Sequence, residues 1–251
     1  MKALGLEFSK LKRKRLWLTV LLVLGFEVVW VLLLLINAFG RDISGAPKDT
    51  GFVIGQVSQV HTIFASIFAT VIVSRLAAME HDGGTMPMLF AANQSRGSLF
   101  RAKYLLAAGL STFATLVIVA AVSALAAAQG VALDMGLIGV WLLGLVLATL
   151  AIVAIQLFLA LLFQRQAVTL TVGIIGGLIG SSAGFVPPAV ASLVPWQYPG
   201  LITPVRTEVV DGTIVGFSMI ENLGALIAVV AVVGVLCAGI GQAVFSRQIS
   251  K

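Results

Sequence analysis

Six apolar stretches, each long enough to cross a bilayer as a helix, alternate with short polar intervals along this chain. They run at about 16–38, 52–78, 104–128, 137–163, 168–186 and 222–245. A hydrocarbon core of about 30 Å takes about 20 helical residues. Only 10% of the residues are charged, against about 25% in a soluble domain. The expected fold is therefore an all-α membrane protein. It has six transmembrane helices and forms a single transmembrane domain over residues 1–251, with the bilayer as its surroundings.

The first apolar run is too long for the h-region of a signal peptide, and no small-x-small cleavage site follows it, since the exit reads NAFGRD. It reads as a retained span. Ahead of it, residues 1–15 are amphipathic. Leu4, Phe8 and Leu11 mark one face, Glu7, Lys10 and Lys14 another, and the segment ends Lys12-Arg13-Lys14-Arg15. This pattern predicts an interfacial helix on the inner membrane surface. Anionic lipid headgroups are nearer partners for the basic cluster than nucleic acid, because a span follows at once. The single cysteine, Cys237, lies in an apolar run, so no disulfide can form within the chain.

Charge placement gives the orientation. With the N-terminus inside, the inner intervals hold 13 of the 16 lysines and arginines, and the outer ones hold Arg41, Lys48 and Arg206. The positive-inside rule then puts both termini in the cytoplasm.

Two polar intervals are unusual. Met79–Lys103, between the second and third spans, reads MEHDGGTMPMLFAANQSRGSLFRAK. Gly83–Gly84 breaks the preceding helix, Thr85 is placed to cap a new one, and Pro87 suits a first turn. Met86, Leu89 and Phe90 share a face at i, i+3, i+4 spacing. Asn93–Gly97 is expected to turn, and Ser98 to cap the third span. Arg96, Arg101 and Lys103 place positive charge ahead of the membrane. The interval reads either as a docking helix with an apolar tip or as a polar loop whose helix lies among headgroups.

Pro187–Glu221 is the other unusual interval, with five of the seven prolines. Proline interrupts helices, yet Ala189–Tyr198 is apolar. Short, partly re-entrant helices on the outer side are expected, with Trp196 and Tyr198 suited to an interface and Pro187 at the entry. In the fifth span Gly173 and Gly177, and Gly176, Gly180 and Gly184, recur at spacings of four, which lets helices approach closely. Packing within the subunit is the first reading of this ladder and a dimer seam the second. The chain shows no convincing internal repeat, as an inverted-repeat transporter would.

Ionisable groups inside spans are costly and mark candidate sites. Glu27 lies roughly 16 Å from the inner start of its span, and His61 roughly 12 Å from the outer start of the second. With a core of about 30 Å these depths are similar. Glu27 and His61 either pair or face a shared polar interior; alternatively a protonated Glu27 bonds a carbonyl, serine or threonine. Gln156 in the fourth span is a lesser candidate, as is Glu221 near the interface.

Enzyme motifs are lacking. Two histidines, His61 and His81, with no HExxH make no metal cluster, and GxxxxGK[ST] is absent. Gly180-Ser181-Ser182 lacks a histidine placed to act as base. The chain is expected not to be an enzyme and to bind no cofactor itself.

Several of these features together resemble the type-2 ATP-binding-cassette exporter permeases. They are the basic N-terminus LEFSKLKRKRLWLTVLL, then Glu80, Gly84-Thr85, the apolar Met86–Ala91, Arg96 and Lys103. PWQYP at Pro195–Pro199 is similar to the lantibiotic-immunity and peptide-antibiotic-resistance branch of bacterial permeases. The resemblance implies a multi-pass protein of the bacterial plasma membrane that exports an amphipathic molecule such as a peptide antibiotic. It implies a second permease, identical or a sister chain, and a separate ATP-binding subunit that carries ATP and Mg. Coupling would run through a helix at about Thr85–Ala92, with Glu80, Thr85, Met86, Leu89, Phe90 and Arg96 at the contact. Glu27, His61 and Gln156 would line the path, and Pro187, Trp196 and Tyr198 the outer gate. Two other readings stand beside it: a self-contained proton-coupled transporter using Glu27 and His61, and a structural or sensory membrane protein.

Overall fold

The computed structural model describes residues 16–41, 48–81, 95–163, 165–210 and 213–247, with backbone alone for 80, 81, 209, 210 and 213–215. The interfacial helix expected at 1–15 and the coupling helix expected at Thr85–Ala92 lie outside the described residues.

The fold is mostly helical. Its long helices are α1 (Leu16–Gly40), α2 (Thr50–His81), α3 (Arg96–Ala128) and α4 (Met135–Leu162). After the shorter α5 (Gln166–Gly180) come two one-turn helices, α6 (Pro188–Ala191) and α7 (Tyr198–Leu201), and last the long α8 (Leu223–Arg247). Five of these, α1–α4 and α8, are long and apolar enough to cross a membrane.

The helices differ in how they meet their surroundings. α1 buries one stripe, Leu16, Val20, Leu24, Glu27, Val31, Leu35 and Ala38, at spacings of three and four. Its other faces are equally apolar and open, with Leu22 73% exposed. Such an all-round apolar helix suits lipid on one side and protein on the other. α2 is the centre of the bundle and packs against α1, α3, α4 and α5, while α4 also packs against α3 and α8. The main core joins residues such as Leu24, Val57, Phe68, Leu106, Ile118 and Leu157.

Side-chain contacts sort the helix ends into two groups. At one end of the bundle, Thr50 Oγ1 accepts from the Asp134 amide at 2.9 Å, joining the starts of α2 and α4. At the other, Lys103 Nζ donates to the Leu76 carbonyl at 2.8 Å, and Phe100 of α3 meets Phe245 of α8 with ring centroids 6.3 Å apart.

Four expectations are corrected. First, α3 begins at Arg96 rather than near Tyr104, and its cap is Ser95, not Ser98. Ser95 Oγ accepts from the Ser98 amide at 3.2 Å, which places Ser98 in the first turn.

Second, the fifth apolar run ends at Gly180 instead of reaching 186. Its 15 residues make a helix of roughly 22 Å, short of a core of about 30 Å. The Ser181 and Ser182 hydroxyls donate to the Leu178 and Ile179 carbonyls at 2.7 Å. This satisfies acceptors that a helix C-terminus leaves open. A 3-10 turn at Ala183–Phe185 follows, and then Pro187–Pro188.

Third, the fold is not all-α. After the short helices, β1 (Val205–Val210) and β2 (Thr213–Met219) pair antiparallel, from Val205↔Met219 to Val210↔Thr213, with an irregularity at Glu208/Val209. The sequence carries the signal: Asp211-Gly212 between β-branched Val209-Val210 and Thr213-Ile214-Val215 is a strong short-range hairpin pattern. Phe217 of β2 lies against Gly55 of α2, where any side chain would collide with its ring.

Fourth, Tyr198 is packed inside the protein instead of being presented to its surroundings. It is 1% exposed and packs in a second cluster with Ala148, Leu201, Ile202 and Val230.

The glycine ladder is used within the chain. A Cβ on Gly173 would collide with Thr70, one on Gly176 with the Trp196 ring, and one on Gly180 with the Trp196 carbonyl. Gly184 has open space around it.

Candidate functional site

Polar side chains inside the bundle define the first candidate site. His61 Nδ1 and Glu27 Oε1 are 2.7 Å apart, with the two side chains 2% and 1% exposed. Glu27 enters on the buried stripe of α1. His61 sits on the α2 face beside Ser58 and Thr62, whose hydroxyls are occupied by the Ile54 and Ser58 carbonyls at 2.6 and 2.8 Å. The hydroxyl satisfied on its own helix leaves the imidazole as the group that reaches across. Burying a polar pair of this kind is costly and is offset only with good geometry, so removing one partner costs about 3–5 kcal/mol.

A small chamber adjoins this pair. Ser111, Ala114 and Thr115 of α3 and Thr149 of α4 complete its wall with Ala65 and Phe68 of α2. Thr115 Oγ1 donates to the Ser111 carbonyl at 3.1 Å. Ser111 and Thr149 were not legible as site residues, since small hydroxyl residues are common inside spans and carry no depth or facing signal alone. The available hint is periodic: Ser111 and Thr115 are four apart on α3, and Thr149 and Gln156 seven apart on α4, so each pair shares a face. Gln156 is fully buried, and neither its Oε1 nor its Nε2 meets a hydrogen-bond partner among the described residues. It lies roughly 10 Å along α4 from Thr149 and does not line the chamber.

The second candidate site is a vestibule of about 290 Å³ at the end of the bundle where α2 begins. Gln56, Gln59 and Thr62 of α2 face Ser181, Arg206 and Thr207 across it. Gln197 Nε2 donates to the Ile179 carbonyl at 3.2 Å and to Ser182 Oγ at 3.1 Å, fixing the segment of short helices to the end of α5. The Tyr198 hydroxyl donates to the Ser192 carbonyl at 3.1 Å. Trp196 is half-buried, and Pro187 is exposed at the entry to α6. These three residues belong to the segment of short helices between α5 and β1; none of them lines the vestibule. Gln56 also borders a second cavity of about 460 Å³ against α1, with Trp30, Asn37 and Arg41.

The third is the opposite end, where α2 and α3 flank residues 82–94. Thr85, Met86, Leu89 and Phe90 lie outside the described residues. Glu80 falls in the last turn of α2, and Arg96 opens α3 and is half-buried. Lys103, which sequence reading left at the membrane surface, is fully buried, with its ammonium on the Leu76 carbonyl. Among the described residues no group of three or more His, Cys, Asp or Glu side chains is placed to hold a metal ion.

A buried polar pair, a vestibule at one end of the bundle and two long helices flanking a connection at the other outline a membrane component. The decision comes from comparison: a family model described as "ABC-2 family transporter protein" matches residues 3–180. The chain belongs to the ABC-2 transporter family. The ABC-2 match takes in α1 through α5 and ends at Gly180, before the short helices, the hairpin and α8. Comparison with curated proteins and with solved structures found no match. An ABC-2 permease is the membrane component of an ATP-binding-cassette transporter, not itself the ATPase, and works with an ATP-binding subunit.

Proposed function

We propose that this chain is the permease of an exporter in the bacterial plasma membrane that expels a lantibiotic-like peptide or similar amphipathic molecule. It works as half of a dimer, with an identical or sister permease. A separate subunit holding ATP and Mg drives it through residues 82–94, with Glu80, Thr85, Met86, Leu89, Phe90 and Arg96 at the contact. Both termini and this connection face the cytoplasm.

The observation that carries this reading is the reach of α2 and α3. They have 32 and 33 residues, or roughly 48 and 50 Å, against a hydrocarbon core of about 30 Å. The surplus lifts His81 and Arg96 clear of the bilayer, where a soluble subunit can engage the connection between them. Lys103 on Leu76 binds the two helices together just below, so a push on the connection moves them as a pair.

The substrate class follows from the surfaces. The spans offer few charges, which suits a molecule that already partitions into lipid. The vestibule supplies uncharged hydrogen-bonding groups and Arg206, and Phe185 nearby is 80% exposed. A polar pocket beside an open apolar side chain fits an amphipathic molecule leaving on the outer side, with Pro187, Trp196 and Tyr198 as the frame that holds the gate. The lantibiotic branch rests on PWQYP at Pro195–Pro199, which lies beyond the residues that the family model matches. The test is survival of cells with and without the complex under a purified lantibiotic. Protection that requires this chain and its ATPase is expected, and unchanged sensitivity contradicts the substrate class.

The Glu27–His61 contact gives one specific reason to keep a second reading, proton-coupled transport without an ATPase. Glu27→Gln separates the two. It retains a hydrogen bond to His61, so ATP-driven export continues, whereas a proton carrier loses transport.

A further inference from the structure

Three buried polar atoms that lack a hydrogen-bond partner among the described residues belong to side chains lining one chamber: His61 Nε2, Ser111 Oγ and Thr149 Oγ1. They come from three helices, α2, α3 and α4, and Glu27 brings in α1. The chamber measures about 10 Å³, close to the single probe sphere that one water molecule fills. Its lining combines Glu27, His61, Ser111, Thr115 and Thr149 with the apolar Ala65, Phe68 and Ala114. Chambers of that size stay dry when apolar, and hold water when two to four polar groups converge.

We propose that this chamber is the binding site of one structural water molecule, which joins His61 Nε2 to Ser111 Oγ and Thr149 Oγ1. Proton counting gives its orientation. When Nδ1–H donates to an ionised Glu27 and the pair is net neutral, the ring is an imidazolium and Nε2 carries a hydrogen. When Glu27 is protonated and donates to Nδ1, the neutral ring again carries its hydrogen on Nε2. Both uncharged arrangements therefore present an N–H to the chamber, and a hydrogen bond from it needs an acceptor there. The water oxygen accepts that bond, and its two hydrogens go to the two hydroxyl oxygens. No other charged or titratable side chain lines the chamber: α3 offers Ser111, Ala114 and Thr115, α4 offers Thr149, and α2 adds Ala65 and Phe68. A divalent cation is a poor occupant, since calcium and magnesium take six or more oxygens.

The water completes a clasp through four helices. Among the described residues, Glu27 is the α1 side chain that hydrogen-bonds to another helix, and it reaches only α2 directly. Through His61 and the water the tie extends to α3 and α4, so α1 is fixed in rotation against the whole inner bundle. This holds whatever molecule the protein moves.

The test uses the full chain with His81→Gln, which leaves His61 as its one histidine, labelled with ¹⁵N-histidine in lipid nanodiscs. Magnetisation transfer from water to the His61 ring is read by NMR. The expected result is a protonated Nε2 with a strong water cross-peak, retained in Thr149→Ser and largely lost in Thr149→Val. Ser111→Ala, which leaves Thr149 in place, is expected to weaken it as well and stands in should the valine variant fail to fold. A wild-type ring with no water transfer to Nε2, or a cross-peak unchanged in Thr149→Val, overturns the proposal.

Discussion

Lys103 Nζ lies 2.8 Å from the Leu76 carbonyl, inside the joint between α2 and α3 and below the connection that they carry. A lysine at the end of a span ordinarily extends its ammonium to water. This one is fully buried and spends its charge on the neighbouring helix. A hydrogen bond from a charged group contributes about 1.5–3 kcal/mol. Lys103→Met is therefore expected to lower stability by about that amount, and to reduce ATP-driven export by more than the loss of folded protein explains. Thermal unfolding in detergent and transport per folded molecule check the two parts.

Glu27 and His61 form a buried pair, so each depends on the other. Glu27→Ala and His61→Ala should each destabilise by about 3–5 kcal/mol, because each leaves an unpaired buried group. The double variant should cost less than the sum, with a coupling of about 0.5–3 kcal/mol. Unfolding midpoints for the four proteins provide the measurement, and additive losses would show that the two side chains act separately.

The glycines of α5 should separate by contact. Gly180→Ala places a methyl group on the Trp196 backbone and Gly176→Ala places one on its ring, at about 1–3 kcal/mol each for overpacking. Gly184→Ala meets open space and should stay near wild type. Thermal stability of the three variants is the check, and equal losses at all three would argue against the packing described.

The proposed sidedness, with residues 82–94 in the cytoplasm, sets a labelling pattern for the two ends of the bundle. In a Cys237→Ala background, Arg206→Cys should react with a membrane-impermeant thiol reagent added outside intact cells. Ser95→Cys should react only after the membrane is opened. The reverse pattern would invert the topology.

Much of the architecture was legible because it follows from counting. Span length and the rise per residue need only the sequence, and that arithmetic puts Glu27 and His61 at one depth. It gives no rotation about a helix axis, so it left open whether they touch. Ser111 and Thr149 were out of reach for the same reason, as was the burial of Lys103, since a lysine at a span end gives no sign of turning inward. The hairpin is a different case. Asp211-Gly212 between β-branched residues announces it, but the prolines upstream dominated the reading of that interval. The end of α5 depended on Ser181 and Ser182 closing the helix with their own hydroxyls, a local choice that apolar run length does not encode.

The central claim is that force reaches this permease from a separate ATP-binding subunit through residues 82–94. Site-directed cross-linking tests it directly: Met86→Cys and Leu89→Cys are introduced in the Cys237→Ala chain, and the complex is purified with its ATPase. The expected result is a cross-link from these positions to the ATP-binding subunit, with ATP hydrolysis and export both blocked while it is intact and restored on reduction. Efficient cross-linking to lipid-embedded probes instead, with export unaffected, would contradict the claim.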